Sequence, residues 1–86
     1  MLKNYMEIVV HDMLPSILER EELECQCEIC IEDIKAIALN NLKPMYVVTE
    51  KGILYSKLNE FSAQFKTDVI REITIAIEKV RKNPRH

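Results

Sequence analysis

Three cysteines fall within six positions of the sequence, in Cys25-Gln26-Cys27-Glu28-Ile29-Cys30, and the 86-residue chain has no others. The short turn of a C-x-x-C motif lets two sulfurs converge on one tetrahedral ion, and the preceding C-x-C step brings a third to the same side. The thiols also lie at the start of a predicted helix, whose N-terminal N–H groups stabilise thiolates. The cluster therefore predicts a Zn²⁺ site formed by Cys25, Cys27 and Cys30.

A structural zinc ion normally has four protein ligands, so the cluster leaves one ligand open. Asp33 lies one helical turn after Cys30, although the helix dipole alone also favours an acid in a first turn. His11 and His86 are the only histidines, and His86 follows the last predicted helix, from which it could reach the cluster of a neighbouring subunit. Asp33, His11, His86 and water are therefore the candidates for the fourth ligand.

Other uses of the three thiols fit the sequence less well. A disulfide between Cys25 and Cys27 would be strained, a thioredoxin-type site needs a βαβ unit, and an iron–sulfur cluster usually takes four thiolates. Three structural cysteines without a metal are the remaining alternative.

The cluster must be positioned by the helices on either side of it. Asn4 and Glu7 form a capping box, after which apolar residues recur at helical spacing to about Arg20, with a kink or break expected at Pro15. A second helix follows the cysteines, with its apolar stripe at Ile31, Ile34, Ile37, Ala38 and Leu42. Pro44 stops this second helix.

A short β-ribbon is predicted next, because two β-branched or aromatic runs flank the turn residues Glu50-Lys51-Gly52. One long helix is then predicted from Ser56 to about Lys82. Its stripe comprises Leu58, Phe61, Phe65, Val69, Ile73, Ile77 and Val80. A helix this long, about 38 Å, would overhang a compact chain of this size, which favours a homodimer, intertwined or antiparallel. The alternative is a break near Thr67-Asp68.

The length and composition limit the classes of protein to which this chain can belong. The length allows one domain, residues 1–86, and the single glycine favours a mainly α fold of three helices, the first kinked and the last long. Neither a membrane span nor a signal peptide is recognised, so we expect a cytoplasmic protein. Residues 1–50 carry ten acids and four bases, a net −6, whereas residues 51–86 carry eight bases and four acids, a net +4. The small basic excess argues against a nucleic-acid binder.

The sequence resembles the late competence protein ComFB family. The resemblance rests on CQCEIC followed by EDIKAIALNNLKPMYVVTEKG, and it extends from Asn4 to His86. By position, the family's metal-binding cysteines correspond to Cys25, Cys27 and Cys30, its ALN motif to residues 38–40, and its turn into the ribbon to Pro44, Tyr46 and Val47. The resemblance implies a small, mostly helical, cytoplasmic homodimer that binds zinc and has no enzymatic activity, while the absence of a fourth cysteine leaves the metal coordination open.

Three functions follow as expectations. The first is a non-catalytic regulatory or adaptor dimer with an unidentified protein partner, since the sequence shows no catalytic constellation. The second, which the resemblance implies through some relatives in other bacteria, is a cyclic dinucleotide receptor acting on competence or motility. Its candidate contacts are Arg71, Arg81, Lys82 and Arg85, with Tyr46 or Tyr55. The third, a metal-dependent enzyme or thiol oxidoreductase, depends only on the open fourth ligand.

Overall fold

The fold is mainly α-helical, with three helices and a two-stranded sheet in the part of the chain that the structure describes. The structure is a computed structural model that describes residues 1–49, 51 and 62–84. The elements follow in the order β1 (Lys3–Asn4), α1 (Tyr5–Glu21), α2 (Glu28–Asn40), β2 (Tyr46–Val47) and α3 (Ala63–Lys82). The three predicted helices are confirmed in kind and order, while the expected dimer stays a prediction.

Helix α1 begins and ends as the sequence indicates. Asn4 is its N-cap, and the Asn4 side chain accepts a hydrogen bond from the Met6 N–H at 3.1 Å. The helix ends at Glu21, after which Glu22 adopts a left-handed conformation with φ 51°. The break considered at Pro15 does not occur, because α1 continues through this residue. The kink expected there stays a prediction.

Helix α2 begins directly in the cysteine cluster. Cys27 is its N-cap, with an extended backbone, and the carbonyl of Cys27 accepts a hydrogen bond from the Ile31 N–H at 3.0 Å. The helix ends at Asn40, four residues before the predicted stop at Pro44. The first turn of α2 therefore carries Cys30 at a fixed position relative to Cys27.

The sheet pairs the strand that precedes α1 with the strand that follows α2. β1 and β2 are antiparallel, with Lys3 opposite Val47 and Asn4 opposite Tyr46. The sequence predicted instead that the strand at Tyr46–Val47 would pair with a following run at residues 53–55. That second run lies outside the described residues, but Lys51 of the predicted turn is helical, which argues against the hairpin. The partner seen for β2 is a strand more than 40 residues earlier in the chain.

Helix α3 is shorter at its start than predicted. Ser62 has an extended backbone (φ −68°, ψ 129°) and caps the helix, its Oγ accepting from the Phe65 N–H at 3.4 Å. An unbroken helix from Ser56 is therefore wrong, although residues 56–61 themselves lie outside the described residues. The helix runs without a break through Thr67-Asp68 and ends at Lys82, as expected. Twenty residues span about 30 Å, which lies within the 40 Å length of the molecule, so the overhang argument for a dimer is weakened.

The core lies where the three helices meet. Helix α3 supplies Val69, Ile73, Ala76, Ile77 and Val80, all buried, and these pack with the buried faces of α1 and α2. The least exposed side chains of this core include Val10 of α1, Ile34 of α2 and Ile73 of α3. Cys30 belongs to the same cluster with 2% of its surface exposed. One side of the thiol site is therefore continuous with the hydrophobic core.

Candidate metal centre

The three cysteine sulfurs lie together at the junction between α1 and α2. The Sγ atoms of Cys25, Cys27 and Cys30 all lie within 4.8 Å of one another. Cys25 Sγ is 3.5 Å from Cys27 Sγ and 3.4 Å from Cys30 Sγ. All three are thiols rather than halves of a disulfide. The structure thus brings together the three residues that the sequence singled out.

The loop that carries Cys25 is held by its neighbours. Leu23 is 6% exposed although it lies between Glu22 and Glu24. The side-chain amide of Gln26 donates to the Leu23 carbonyl at 3.0 Å. Leu23 therefore anchors the segment between the end of α1 and the first cysteine. Sequence reasoning missed this role, and the signal was present: a single leucine within a run of glutamates.

The environment shifts the pKa values of Cys27 and Cys30 in opposite directions. The backbone N–H of Cys30 donates to the Cys27 sulfur and lowers the pKa of Cys27 from its ordinary value, with smaller contributions from the neighbouring thiols. Burial raises the pKa of Cys30 from 9.0 to about 12. In the absence of a metal, Cys27 therefore becomes a thiolate before Cys30 does.

The distances fit a tetrahedral zinc ion. Zn–S bonds of about 2.3 Å place the sulfurs of a tetrahedral site about 3.8 Å apart. The two closest pairs, at 3.4 and 3.5 Å, lie slightly inside that separation. Small outward movements of the side chains would therefore open the cluster to the ion, so the donor set and its geometry fit Zn²⁺.

Two candidates for the fourth ligand are described, and neither belongs to the thiol group. The group of potential ligands found in residues 1–49, 51 and 62–84 consists of the three cysteines alone. His11 Nδ1 instead lies 3.2 Å from the Nζ of Lys35. Asp33 lines a different cavity, which Lys79 and Lys82 at the end of α3 also line. His86 lies outside the described residues.

The end of α3 borders the thiol site. Cys25 and Cys30 line a cavity of about 350 Å³ together with Val80, Arg81 and Pro84. The Arg81 guanidinium also donates from Nη2 to the carbonyl of Glu21 at 2.6 Å, which satisfies one of the last carbonyls of α1. Arg81 therefore ties α3 to the entry of the cysteine loop, a contact between residues 60 positions apart that no local pattern reveals.

The nucleotide-binding candidates do not converge within the described part of one chain. Arg71 and Arg81 are ten residues apart on α3, about 15 Å along the helix axis. Arg71 is ion-paired with Asp68 at 3.3 Å and with Glu72 at 3.5 Å. Arg85 and Tyr55 lie outside the described residues. The cyclic dinucleotide receptor stays a prediction that depends on a second chain.

Comparisons with known proteins identify the family to which this chain belongs. The family model for "Late competence development protein ComFB" matches residues 3–84. The chain belongs to the ComFB family. The Competence protein ComFB of Bacillus subtilis (strain 168) is 30% identical over 84 residues, which cover 98% of this chain and 86% of that protein.

The fold agrees with this membership of the ComFB family. The solved structure of the late competence protein ComFB from Bacillus subtilis superposes with a TM-score of 0.87 at 30% sequence identity, covering 98% of this chain and 92% of that one. The family resemblance drawn from the cysteine block and the following motifs is thereby confirmed. None of the helices described for this ComFB-family chain combines the length and the apolarity that crossing a bilayer requires.

Proposed function

We propose that this chain is a non-catalytic regulatory or adaptor protein of late competence whose cysteine cluster binds one structural Zn²⁺ per chain. Family membership supports the link to competence. Thiolates are the ligands that closed structural zinc sites use. In such a site the bound ion contributes its binding energy to folding.

The convergence of the three sulfurs is the observation on which the proposal depends. Three Sγ atoms within 4.8 Å of one another, at the N-terminus of α2, form most of a tetrahedral shell. One of them belongs to the core through Cys30, and the other two belong to a loop between helices. An ion held by all three would fix the angle between α1 and α2.

We propose His86 as the fourth ligand. Of the other two side-chain candidates, His11 has its Nδ1 atom 3.2 Å from the Nζ of Lys35, and Asp33 lines a cavity that the cysteines do not line. Both positions favour His86 over these two residues.

We also propose a homodimer whose interface includes the outer face of the β1–β2 sheet. Met1, Leu2, Tyr46 and Val48 are each at least 62% exposed there. The Met1 nitrogen donates to the Val48 carbonyl at 3.2 Å, so the four apolar side chains belong to one region. Several exposed apolar side chains in one region are typical of an interaction surface, and two-fold homodimers are the commonest oligomers.

Native mass spectrometry of protein purified without added metal tests the zinc site. We expect one zinc ion per chain in the wild type and loss of zinc from Cys27→Ser. The control is Ile29→Ser, which changes an exposed residue of the same motif that has no ligand atom, and it should keep its zinc. A metal-free wild type, or a Cys27→Ser variant with full zinc content, would contradict the proposal.

A zinc competition assay with a chromophoric chelator tests the fourth ligand. We expect His86→Ala to weaken zinc binding by about tenfold or more, since even partners outside the ligand shell contribute 10–100-fold. His11→Ala and Asp33→Asn serve as matched controls and should leave the affinity unchanged. A loss confined to either control would move the fourth ligand to that residue.

A further inference from the structure

The closeness of Cys25 to the other two thiols has a chemical consequence beyond metal binding. Its sulfur lies 3.4 Å from Cys30 Sγ and 3.5 Å from Cys27 Sγ. A disulfide bond measures about 2.05 Å. The Cys25 and Cys30 sulfurs therefore need to approach by only about 1.4 Å to bond.

The local backbone favours Cys30 over Cys27 as the partner of Cys25. A disulfide between residues two positions apart closes a small, strained ring. The Cys27 backbone is also fixed as the N-cap of α2, where its carbonyl accepts from Ile31. Cys25 lies in the loop before the helix, outside any regular element, and has more freedom to move toward Cys30.

Access to the pair is provided by the cavity that it lines. Cys25 and Cys30 both border the space of about 350 Å³ beside Arg81 and Pro84. Cys25 is half-buried, whereas Cys30 is 2% exposed. A small oxidant that enters this cavity therefore has readier access to Cys25 than to Cys30.

We propose that Cys25 and Cys30 are a redox modification site at which a peroxide forms a disulfide in the metal-free chain. The effect of this modification on metal content rests on the zinc site proposed above. Because the disulfide uses two of the three sulfur ligands, the oxidised chain retains Cys27 as its one sulfur ligand for the metal. Oxidation and zinc binding are then mutually exclusive states of the same cluster.

The reaction balances with hydrogen peroxide as the oxidant. The Cys25 thiolate attacks one peroxide oxygen, an S–O bond forms as the O–O bond breaks, and the departing hydroxide takes up a proton to become water. Cys25 is then a sulfenic acid. The Cys30 sulfur attacks the Cys25 sulfur, the S–S bond forms, and the S–O bond breaks. The hydroxide leaves with the Cys30 proton as a second water, so two thiols are oxidised and one peroxide is reduced.

The sequence allows the cross-link to be mapped directly. Cleavage after Glu24, Glu28 and Glu32 separates the peptides 25–28 and 29–32, which contain Cys25 with Cys27 and Cys30 alone, respectively. The full chain, freed of metal with a chelator, is treated with one equivalent of hydrogen peroxide, alkylated and digested without reduction. We expect the two peptides to be disulfide-linked, and fragmentation of the linked pair to place the bond at Cys25.

Two matched variants give the same answer independently of fragmentation. Cys27→Ser should still form the cross-link, whereas Cys25→Ser should reduce its yield at least tenfold. Equal yield in Cys25→Ser, a disulfide inside peptide 25–28, or oxidation only to sulfinic acid would overturn the proposal. Because the wild-type fragmentation needs no substitution, a variant that fails to fold does not decide the outcome.

Measurements of zinc content distinguish this proposal from the zinc site proposed above. Zinc content is measured on untreated, oxidised and re-reduced protein. Loss of zinc uptake on oxidation and its return after reduction supports both. A chain that never holds zinc but forms the Cys25–Cys30 disulfide would contradict the proposed zinc site and support the modification site. A chain that binds zinc but forms no such disulfide when metal-free would support the zinc site and contradict the modification site.

Discussion

Cys30 combines two environments that are usually kept apart, a hydrophobic core and a polar cluster of thiols. It is nearly inaccessible to solvent, yet its sulfur lies 3.4 Å from that of Cys25. A buried thiolate is unfavourable unless a cation compensates it, and zinc would supply that compensation. The residue that packs against the core is therefore the one whose ionisation depends most on the metal.

The titration of Cys30 predicts how the metal-free chain responds to alkaline pH. Burial raises the pKa of Cys30 in the folded chain from 9.0 to about 12. Between these values the unfolded chain releases a proton that the folded chain retains, so the free energy of unfolding falls as pH rises. Urea unfolding in a chelator at pH 8.5, 9.5 and 10.5 measures the slope. Cys30→Ala should show a shallower decline, and an equal decline would contradict the assignment.

At the residue scale the sequence predicts that the three thiols lie together, but it does not predict the environment of each thiol. The spacing of Cys25, Cys27 and Cys30 is enough to predict a shared position, because short motifs restrict where their side chains lie. The raised pKa of Cys30 depends on its burial in the core, and Arg81 bonds to Glu21 across 60 residues. Contacts of that range are set by packing, which no local motif encodes.

At the scale of the elements, Asn4 joins two parts of the chain. Its side-chain oxygen accepts from the Met6 N–H at 3.1 Å, which caps α1, and from the Met45 N–H at 2.7 Å, which fixes the approach to β2. One carboxamide therefore holds the start of a helix and the strand that pairs beside it. The sequence predicted the cap from the spacing to Glu7, but the bond to Met45 needs the folded chain.

We expect Asn4→Ala to lower the free energy of unfolding by about 1–2 kcal/mol, because a helix cap and a second, partly buried hydrogen bond are lost. Chemical denaturation measures the change. Asn41→Ala is the control, since its exposed side chain donates to the Ile37 carbonyl of the preceding helix α2. A smaller effect at Asn4 than at Asn41 would contradict the double role.

Pro15 lies inside α1 and is exposed. An interior proline removes a helix hydrogen bond and crowds the preceding turn, which costs about 3 kcal/mol, partly offset by its stiffening of the unfolded chain. We expect Pro15→Ala to raise the free energy of unfolding by about 2 kcal/mol. Thermal unfolding tests this, with the neighbouring exposed Ser16→Ala as control. Unchanged or lower stability in Pro15→Ala would indicate that the proline is accommodated without cost.

The elements also show why a helical pattern does not fix where a helix starts. Phe61 and Phe65 continue the same apolar stripe, so the periodicity runs through Ser62 without a signal. The structure nevertheless gives Ser62 an extended backbone and uses it as a cap. Serine is favourable at an N-cap and tolerated within a helix, so its role is decided by how the chain enters the bundle.

At the scale of the whole molecule, the exposed apolar side chains favour one face for self-association. Val48→Asp places a charge in the proposed sheet interface, and a buried unpaired charge is strongly unfavourable. We therefore expect Val48→Asp to shift sedimentation from dimer toward monomer at micromolar concentration. Ile75→Asp changes an apolar residue that is 39% exposed on α3, and it should leave the dimer intact. Dissociation by Ile75→Asp alone would place the interface on α3.

The cysteine cluster spans only residues 25–30, whereas α3 reaches the core from more than 30 residues further along the chain. Closing a short loop loses less entropy than bringing distant segments together. The thiols can therefore meet before α3 has docked, and a metal captured then would join α1 to α2 as a nucleus for the rest. Zinc would in that case speed folding more than it slows unfolding. The ion would act as an early guide for the chain, in addition to stabilising the finished fold.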